Sequence, residues 1–136
     1  MTNDAATILN AYPAGLAGID EDALVMCLQE CLNCASAATS CADACLADPD
    51  RAELARCVGT ALVCADIAET TARTVSRLSC RDAAVVRAIL VACVEACRSC
   101  YDECRTHALS HEYCRICGDA CHRCAHACRQ LAKVLP

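Results

Sequence analysis

Apolar and small residues recur at alternating intervals of three and four along most of this chain, with polar residues between them. From 20 to 47 the recurring positions are Leu24, Cys27, Cys31, Cys34, Ala38, Cys41 and Cys45. Residues three and four apart share one face of an α-helix, so this spacing predicts a long helix with a cysteine-rich buried face. Asp20 is the predicted N-cap, and the helix should end near Ala47, before Pro49.

Three more segments repeat the pattern and predict three more helices. The second should begin at Pro49 behind an Asp48 cap and run to about Leu78. Its buried positions are Leu54, Cys57, Ala61, Cys64, Ala68, Thr71, Val75 and Leu78. The third, from Asp82, carries Val86, Leu90, Cys93, Cys97, Cys100, Cys104 and His107. After a turn near Leu109, the fourth carries Cys114, Cys117, Cys121, Cys124, Cys128, Leu131 and Leu135.

Four long helices joined by short turns predict an all-α, antiparallel, up-down-up-down four-helix bundle at 20–136. Residues 1–19 are predicted to form a separate N-terminal appendage. There Asn3 or Asp4 caps a short helix that Pro13, Gly15 and Gly18 end.

The two ends of the predicted bundle differ in composition. One end gathers Leu24, Val75, Leu78, Val86, Leu90, Leu131 and Leu135. The other gathers Cys41, Cys45, Cys57, Cys104, His107, His111 and Cys114. The pattern therefore predicts a row of thiols closed by hydrophobic residues at one end and opened by histidines at the other.

Composition narrows the possible classes of function. The 136 residues are enough for one domain with its own core, and the 17 cysteines indicate either a disulfide scaffold or metal binding. A net charge of −5 without a basic run disfavours nucleic acid as a partner. No stretch is typical of a secretory signal or a membrane span, which predicts a cytosolic protein with reduced thiols.

Pure packing is a poor explanation for sixteen cysteines on four faces, because alanine, valine or leucine would pack without the risk of oxidation. Disulfides fit a reducing compartment and an odd cysteine count poorly. A redox role would need an exposed, low-pKa thiol that this buried face does not offer. Metal binding remains, and thiolates select Cu(I), zinc or iron–sulfur clusters.

The arrangement of the cysteines in rows favours Cu(I) among these metals. Zinc usually takes a discrete set of four ligands, and iron–sulfur clusters are usually held by loops. Cu(I) accepts few ligands and tolerates bridging thiolates, so a continuous row can be loaded along its length. Zinc buffering, in the manner of metallothionein, and a thiol redox response stay as alternatives.

The helical Cys-x3-Cys-x2-Cys pattern of Cys27, Cys31 and Cys34, repeated from Cys93 onward, resembles that of the bacterial copper storage proteins. The resemblance covers about residues 20–135 and is to the cytosolic branch of that family. It implies a non-enzymatic, cysteine-lined four-helix bundle that stores many Cu(I) ions for copper storage and detoxification. It also implies a homotetramer.

The predicted metal ligands are sixteen cysteines and two histidines. They are Cys27, Cys31, Cys34, Cys41, Cys45, Cys57, Cys64, Cys93, Cys97, Cys100, Cys104, Cys114, Cys117, Cys121, Cys124, Cys128, His107 and His111. The two histidines are expected to receive copper at the open end. His122 and His126 are four residues apart beside the buried face, and this position favours a surface or subunit contact over a separate metal pair. For Cys80, in the turn beyond the hydrophobic end, a free or peripheral thiol is favoured over a metal ligand. Met26 lies at the opposite end from the histidines.

Apolar residues beside the buried face of the second helix, among them Leu62 and Val63, make an oligomer plausible. Closer wrapping by residues 3–18 would explain them equally well.

Overall fold

The computed structural model describes residues 3–13, 16 and 18–136. They form five α-helices, and no strand occurs among them. The helices are α1 (Asp4–Asn10), α2 (Glu21–Ala47), α3 (Ala55–Val75), α4 (Ala83–His107) and α5 (Glu112–Val134). A short 3-10 helix, Leu78–Cys80, lies between α3 and α4. The all-α class predicted from the spacing is confirmed.

Short polar side chains begin three of the helices. Asn3, Asp20 and Asp82 each accept a hydrogen bond from a backbone N–H in the first turn of α1, α2 and α4, at 2.9–3.0 Å. These caps satisfy N–H groups that have no partner within the helix. The predicted starts of α2 and α4 are therefore confirmed. Gly15, predicted to help end α1, lies outside the described residues.

The predicted start of the second bundle helix is wrong. Pro49 is not its first residue, because 48–54 form consecutive turns and α3 begins at Ala55. The Asp48 side chain accepts from the N–H of Asp50 at 2.8 Å, so it closes a local turn and does not cap α3, whose N-cap position is Leu54. Buried Leu54 immediately precedes α3. The same helix also ends early, at Val75, and Leu78 lies in the 3-10 helix.

The four long helices pack side by side around one core. α2 packs against α3 and α5, and α4 packs against the same two helices. Every predicted inward position from Leu24 to Leu131 is buried except His107, which is half-buried, as is Leu135. The alternation of cysteine with alanine leaves no large side chain in the middle of this core.

A hydrophobic group fills the end of the bundle where α2 begins and α5 ends. Its fully buried members include Leu24, Leu28, Val75, Leu78, Leu90 and Leu131. Each leucine buried in this way stabilises the fold by about 1.5–3 kcal/mol relative to exposure. α1 packs on α2, with Leu9 buried, and Tyr12 donates a hydrogen bond to the Ser76 carbonyl at 3.0 Å. We call this end the closed end. None of the described helices is long and apolar enough to cross a membrane.

Candidate metal centre

Sixteen of the 17 cysteines are buried in the core, and Cys80 is exposed on the 3-10 helix. The buried set consists of Cys27, Cys31, Cys34, Cys41, Cys45, Cys57, Cys64, Cys93, Cys97, Cys100, Cys104, Cys114, Cys117, Cys121, Cys124 and Cys128. All four long helices contribute, because each places cysteine on its inward face. The structure thus brings together every cysteine that was predicted to bind metal.

The sulfur atoms of this set lie at distances suited to a shared ion. Neighbouring Sγ atoms are 3.6–4.0 Å apart, for example 3.6 Å between Cys34 and Cys64. With metal–sulfur bonds of about 2.3 Å, such a pair would subtend roughly 100–120° at an ion between them. That range extends from near-tetrahedral to trigonal geometry. A soft ion could therefore be bound without separating the helices.

The sulfurs form a continuous array along the axis. At the closed end Cys27 and Cys128 are 3.8 Å apart, and in the middle Cys64 lies 3.8 Å from Cys97. Further along, Cys100 is 4.0 Å from Cys117. At the opposite end Cys57 lies 3.9 Å from Cys104 and 3.8 Å from Cys114. We call this set of sixteen the sulfur array.

Groups of sulfurs that could hold one ion share members. Two groups of four, with all sulfurs within 4.8 Å of one another, are Cys31, Cys93, Cys124, Cys128 and Cys41, Cys45, Cys57, Cys114. Cys124 also belongs to a trio with Cys34 and Cys97, and Cys41 to a trio with Cys104 and Cys117. The sets of four therefore share sulfurs with neighbouring sets and are not separate sites, as the spacing in rows predicted.

Burial and sulfur–sulfur contacts set the protonation of the thiols. Burial raises the pKa of Cys45 and of Cys114 above the ordinary thiol value, because a thiolate is poorly solvated there. At the closed end, hydrogen bonds from Cys128 and Cys31 lower the pKa of Cys27 to about 5. Thiols with a raised pKa are protonated in the metal-free protein and must lose that proton when a metal ion binds, so metal binding depends on pH.

His107 and His111 lie together at the end opposite the closed end, which we call the histidine end. Their ring centroids are 6.2 Å apart, with the rings edge to face. Nε2 of His107 is 3.4 Å from Glu103 Oε1, and Nε2 of His111 is 3.3 Å from Asp50 Oδ2. Nδ1 of His111 is buried and has no hydrogen-bond partner among the described residues. This nitrogen is free to bind an ion.

The acidic partners of these histidines did not emerge from the sequence pattern as a group. Asp48 was interpreted as a helix cap, whereas its Oδ2 accepts a hydrogen bond from the Tyr113 hydroxyl at 2.5 Å and lies 3.6 Å from His111. That hydrogen bond, with the Asp50 backbone N–H, lowers the pKa of Asp48. Asp48 and Asp50, on either side of Pro49, are visible in the sequence as a pair of acidic residues. Their contacts with His111 and Tyr113 could be recognised only in the folded structure.

The remaining predicted residues lie away from the sulfur array. Cys80 is exposed, as expected of a peripheral thiol. His122 and His126 are exposed on the outside of α5, as a surface position predicts. Met26 is half-exposed on α2 and is not among the residues of the histidine end.

Two comparisons place these features among known proteins. The family model described as copper storage protein matches residues 20–133. The solved structure of Ccsp, the copper storage protein of Streptomyces lividans loaded with 10 copper equivalents, matches with a TM-score of 0.94 at 46% identity. That match covers 96% of this chain and 99% of the other.

A second Streptomyces lividans structure and one curated relative also match this chain. The Streptomyces lividans protein with five coppers, described as cytosolic, matches with a TM-score of 0.83 at 47% identity, covering 85% of this chain and 96% of that one. The uncharacterized cysteine-rich protein YhjQ of Bacillus subtilis is 29% identical over 106 residues, which cover 78% of this chain and 93% of that protein. The family match over residues 20–133 and the sulfur array lead to one conclusion: this chain belongs to the copper storage protein family.

Proposed function

We propose that this chain binds and stores many Cu(I) ions in the sulfur array, and that copper is its cargo. The observation that carries this proposal is the run of sulfurs through the core, with distances of 3.6–4.0 Å inside three successive groups. Cys34, Cys97 and Cys124, which lie within 4.8 Å of one another, join the first group to the second, and contacts of Cys100 with Cys64 and Cys121 join the second to the third. Cu(I) prefers thiolates and tolerates thiolates that bridge two ions, so such a series can be loaded throughout. The burial of every member keeps the bound copper from water and oxygen.

The proposed ligands are the sixteen cysteines of the sulfur array together with His107 and His111. A serine at one array position would remove one ligand, whereas a serine at exposed Cys80 would remove none. Comparing the copper capacity of these two kinds of variant distinguishes the proposed ligands from Cys80.

Zinc buffering is the second candidate function, and the two groups of four sulfurs support it. A tetrahedral zinc ion needs four ligands of this kind. However, both groups share a sulfur with a neighbouring trio, so filling one with zinc would withdraw ligands from the next. Bridging Cu(I) uses such shared sulfurs, which is why we favour copper. A redox response is disfavoured because the sixteen core thiols are buried.

The arrangement that supports storage is an antiparallel, up-down-up-down four-helix bundle over 20–136 with an appendage at 1–19. In support, each long helix packs against its neighbours in the chain, and α5 closes the ring by packing against α2. Cys27 near the start of α2 meets Cys128 near the end of α5, and Cys34 further along α2 meets Cys121 earlier on α5, which supports opposite helix directions. Short connections of the observed kind favour the same topology.

Copper is proposed to enter at the histidine end. The opposite route is blocked by fully buried leucines, among them Leu24, Leu90 and Leu131. At the histidine end, His107 follows Cys104 on α4, and His111 precedes Cys114 at the start of α5. A neutral imidazole can bind Cu(I) without the oxidation risk of an exposed thiol. It can then pass the ion to the nearest sulfurs of the array.

The cellular role that follows is copper storage and detoxification without catalysis. A cytosolic location is proposed because the related Streptomyces lividans protein is described as cytosolic and the cysteines here are free thiols. A homo-oligomer, a tetramer by family resemblance, is supported by half-exposed Leu62 and Val63 on the outside of α3.

An anaerobic titration tests the proposal. The reduced, metal-free protein is titrated with Cu(I) and, separately, with Zn(II), each against a competing chelator. We expect about one Cu(I) per cysteine or more, and zinc uptake near one per four cysteines. Copper saturation at four or five ions would contradict storage and favour discrete sites.

A matched pair of variants controls this titration. Cys121→Ser removes a sulfur from the middle of the array, 3.8 Å from Cys64, and should lower copper capacity. Cys80→Ser removes the exposed thiol and should leave capacity unchanged. Equal losses in both variants would show that copper binds to thiols without regard to the array.

A further inference from the structure

A groove on the outside of the molecule, between α2 and α5, carries metal-binding side chains that do not belong to the sulfur array. Its volume is about 640 Å³. α5 contributes His122 and His126, one turn apart, and α2 contributes Met26 and Glu30, also one turn apart. Residues four apart lie next to each other on a helix, so each pair forms a short row along the groove. The His122 ring packs on Tyr101 of α4, so it reaches an ion in the groove by rotating away from that ring.

The register of the two helices places Glu30 between the histidines. In the core, Cys31 Sγ is 3.7 Å from Cys124 Sγ. On the surface, Arg123 Nε is 3.4 Å from Glu30 Oε2. Both contacts set Glu30 opposite the turn of α5 that separates His122 from His126.

The nitrogen and oxygen atoms at this place are largely unengaged. Within the part of the chain that the structure describes, no hydrogen bond or ion pair engages His122 or His126. The His122 ring packs on Tyr101 with centroids 5.6 Å apart, a contact between rings that uses neither nitrogen as a hydrogen-bonding atom. Glu30 Oε2 is buried and accepts no hydrogen bond from any described residue, and Arg123 neutralises it only through the ion pair.

Two imidazoles and one carboxylate form a ligand set for borderline divalent ions, of which zinc is the common example. It differs from the thiolates of the core, which select Cu(I). We propose that the groove binds one zinc-class divalent ion through His122, His126 and Glu30. Binding displaces the guanidinium of Arg123 from the carboxylate, because the ion takes its place. This inference concerns a site separate from the stored copper and does not depend on the proposed function.

The experiment uses the full chain already saturated with Cu(I), so that the core thiols are occupied. Zn(II) is then added anaerobically in competition with a chromophoric chelator. We expect one additional Zn(II) per chain. His122→Ala combined with His126→Ala should lower its affinity at least about tenfold, since two of the three ligands are lost. Glu30→Gln should weaken it by less.

Arg123→Gln distinguishes a binding site from a structural contact. If zinc competes with the guanidinium for Glu30, removal of Arg123 should strengthen zinc binding, whereas a purely structural role would leave it unchanged. Gln130→Ala, in the same groove but outside the ligand set, is the matched control and should have no effect. All of these variants should keep the wild-type circular dichroism spectrum and Cu(I) capacity.

Three results would overturn the inference. They are no Zn(II) beyond the copper-filled core, an affinity unchanged in the double histidine variant, or a groove covered by a second copy. The last would show as dissociation of an oligomer when the histidines are replaced, measured by sedimentation. Normal Cu(I) capacity with no added zinc would reject this site alone, whereas failed Cu(I) capacity would reject storage.

Discussion

The closed end and the histidine end of the bundle bury side chains of different kinds. The closed end is filled by leucine and valine and covered by α1. The histidine end places thiols, imidazoles and carboxylates together, with His111 beside Asp50 and three residues before Cys114, the first cysteine of α5. One end is therefore built to exclude water, and the other holds groups that can exchange ligands.

This difference separates stability from metal binding. Leucines of the closed end contribute burial energy whether or not metal is present. The cysteines pack as small hydrophobes in the metal-free state and become ligands when copper arrives. The metal-free chain should therefore already be helical, unlike zinc fingers, which unfold without metal. A largely unfolded far-UV circular dichroism spectrum at neutral pH would contradict this division.

The largest effect is expected from the closed end. Leu131→Ala should destabilise the metal-free protein by about 2–5 kcal/mol, because it leaves a cavity in a fully buried site. Copper capacity, measured by anaerobic Cu(I) titration at a temperature where the variant is folded, should stay unchanged. Urea denaturation gives the stability. A capacity that falls together with stability would show that the two ends are not independent.

The second-largest effect is expected from alkaline pH, which should destabilise the metal-free protein through buried thiols at the histidine end. In the folded protein the pKa values of Cys45 and Cys114 are raised above the ordinary thiol value of ~8.5. Their contribution to the free energy of unfolding is therefore complete below that pH and is lost as pH rises above it. Each such thiol can remove up to about 1.4 kcal/mol per pH unit. Cys27 has a lowered pKa, so its contribution is instead lost as pH falls through about 5.

Thermal unfolding of the metal-free protein from pH 7 to pH 10 measures this effect. The copper-loaded protein is the control, since metal-bound sulfurs are already deprotonated. Its melting temperature should change less over the same range. A metal-free protein that gains stability with rising pH would contradict the prediction.

The histidines should affect rates more than capacity. Replacing both His107 and His111 by alanine should slow copper loading and unloading, yet cost at most about one or two ions of capacity, since the sulfurs remain. Stopped-flow uptake of Cu(I) from a chelator donor measures the rate. The matched variant, with His122 and His126 replaced, should load normally. Unchanged rates in the first variant, or slow rates in the second, would place uptake elsewhere.

The smallest effect is expected for Tyr113→Phe. The Tyr113 hydroxyl donates to Asp48, which also lies 3.6 Å from His111. Its removal should lower the free energy of unfolding by roughly 1.5 kcal/mol, the lower end of the range for a hydrogen bond to a charged group, because this one is only part-buried. Urea denaturation measures it. A larger loss accompanied by altered copper capacity would show that Tyr113 supports the sulfur array itself.

The helices and their inward positions could be predicted because the three–four spacing is a local signal. Cys93, Cys97, Cys100 and Cys104 all lie on one face of any α-helix that contains them, and the structure buries all four. The start of α3 could not be predicted in this way. Pro49 is compatible with a first helical turn, but the Asp48 side chain closes a turn with Asp50 instead.

The pairing of groups from different helices also lay beyond the sequence pattern. Nothing local connects Asp48 with Tyr113, which are 65 positions apart and meet only when α5 packs beside α2. The same holds for Glu30 and Arg123, whose contact depends on helix register. The family resemblance implied the ligand types but not these partners.

The continuous sulfur array has a consequence for the order in which ions move. Neighbouring sulfurs such as those of Cys27 and Cys128 or Cys100 and Cys117 lie 3.8–4.0 Å apart, close enough to bind the same ion. A Cu(I) ion can therefore exchange one thiolate for the next without being released to solvent. An individual copper ion is then not confined to one binding site along the axis. The ion that leaves need not be the last one that arrived, so isotopically labelled copper added late should mix with the earlier copper before it is withdrawn.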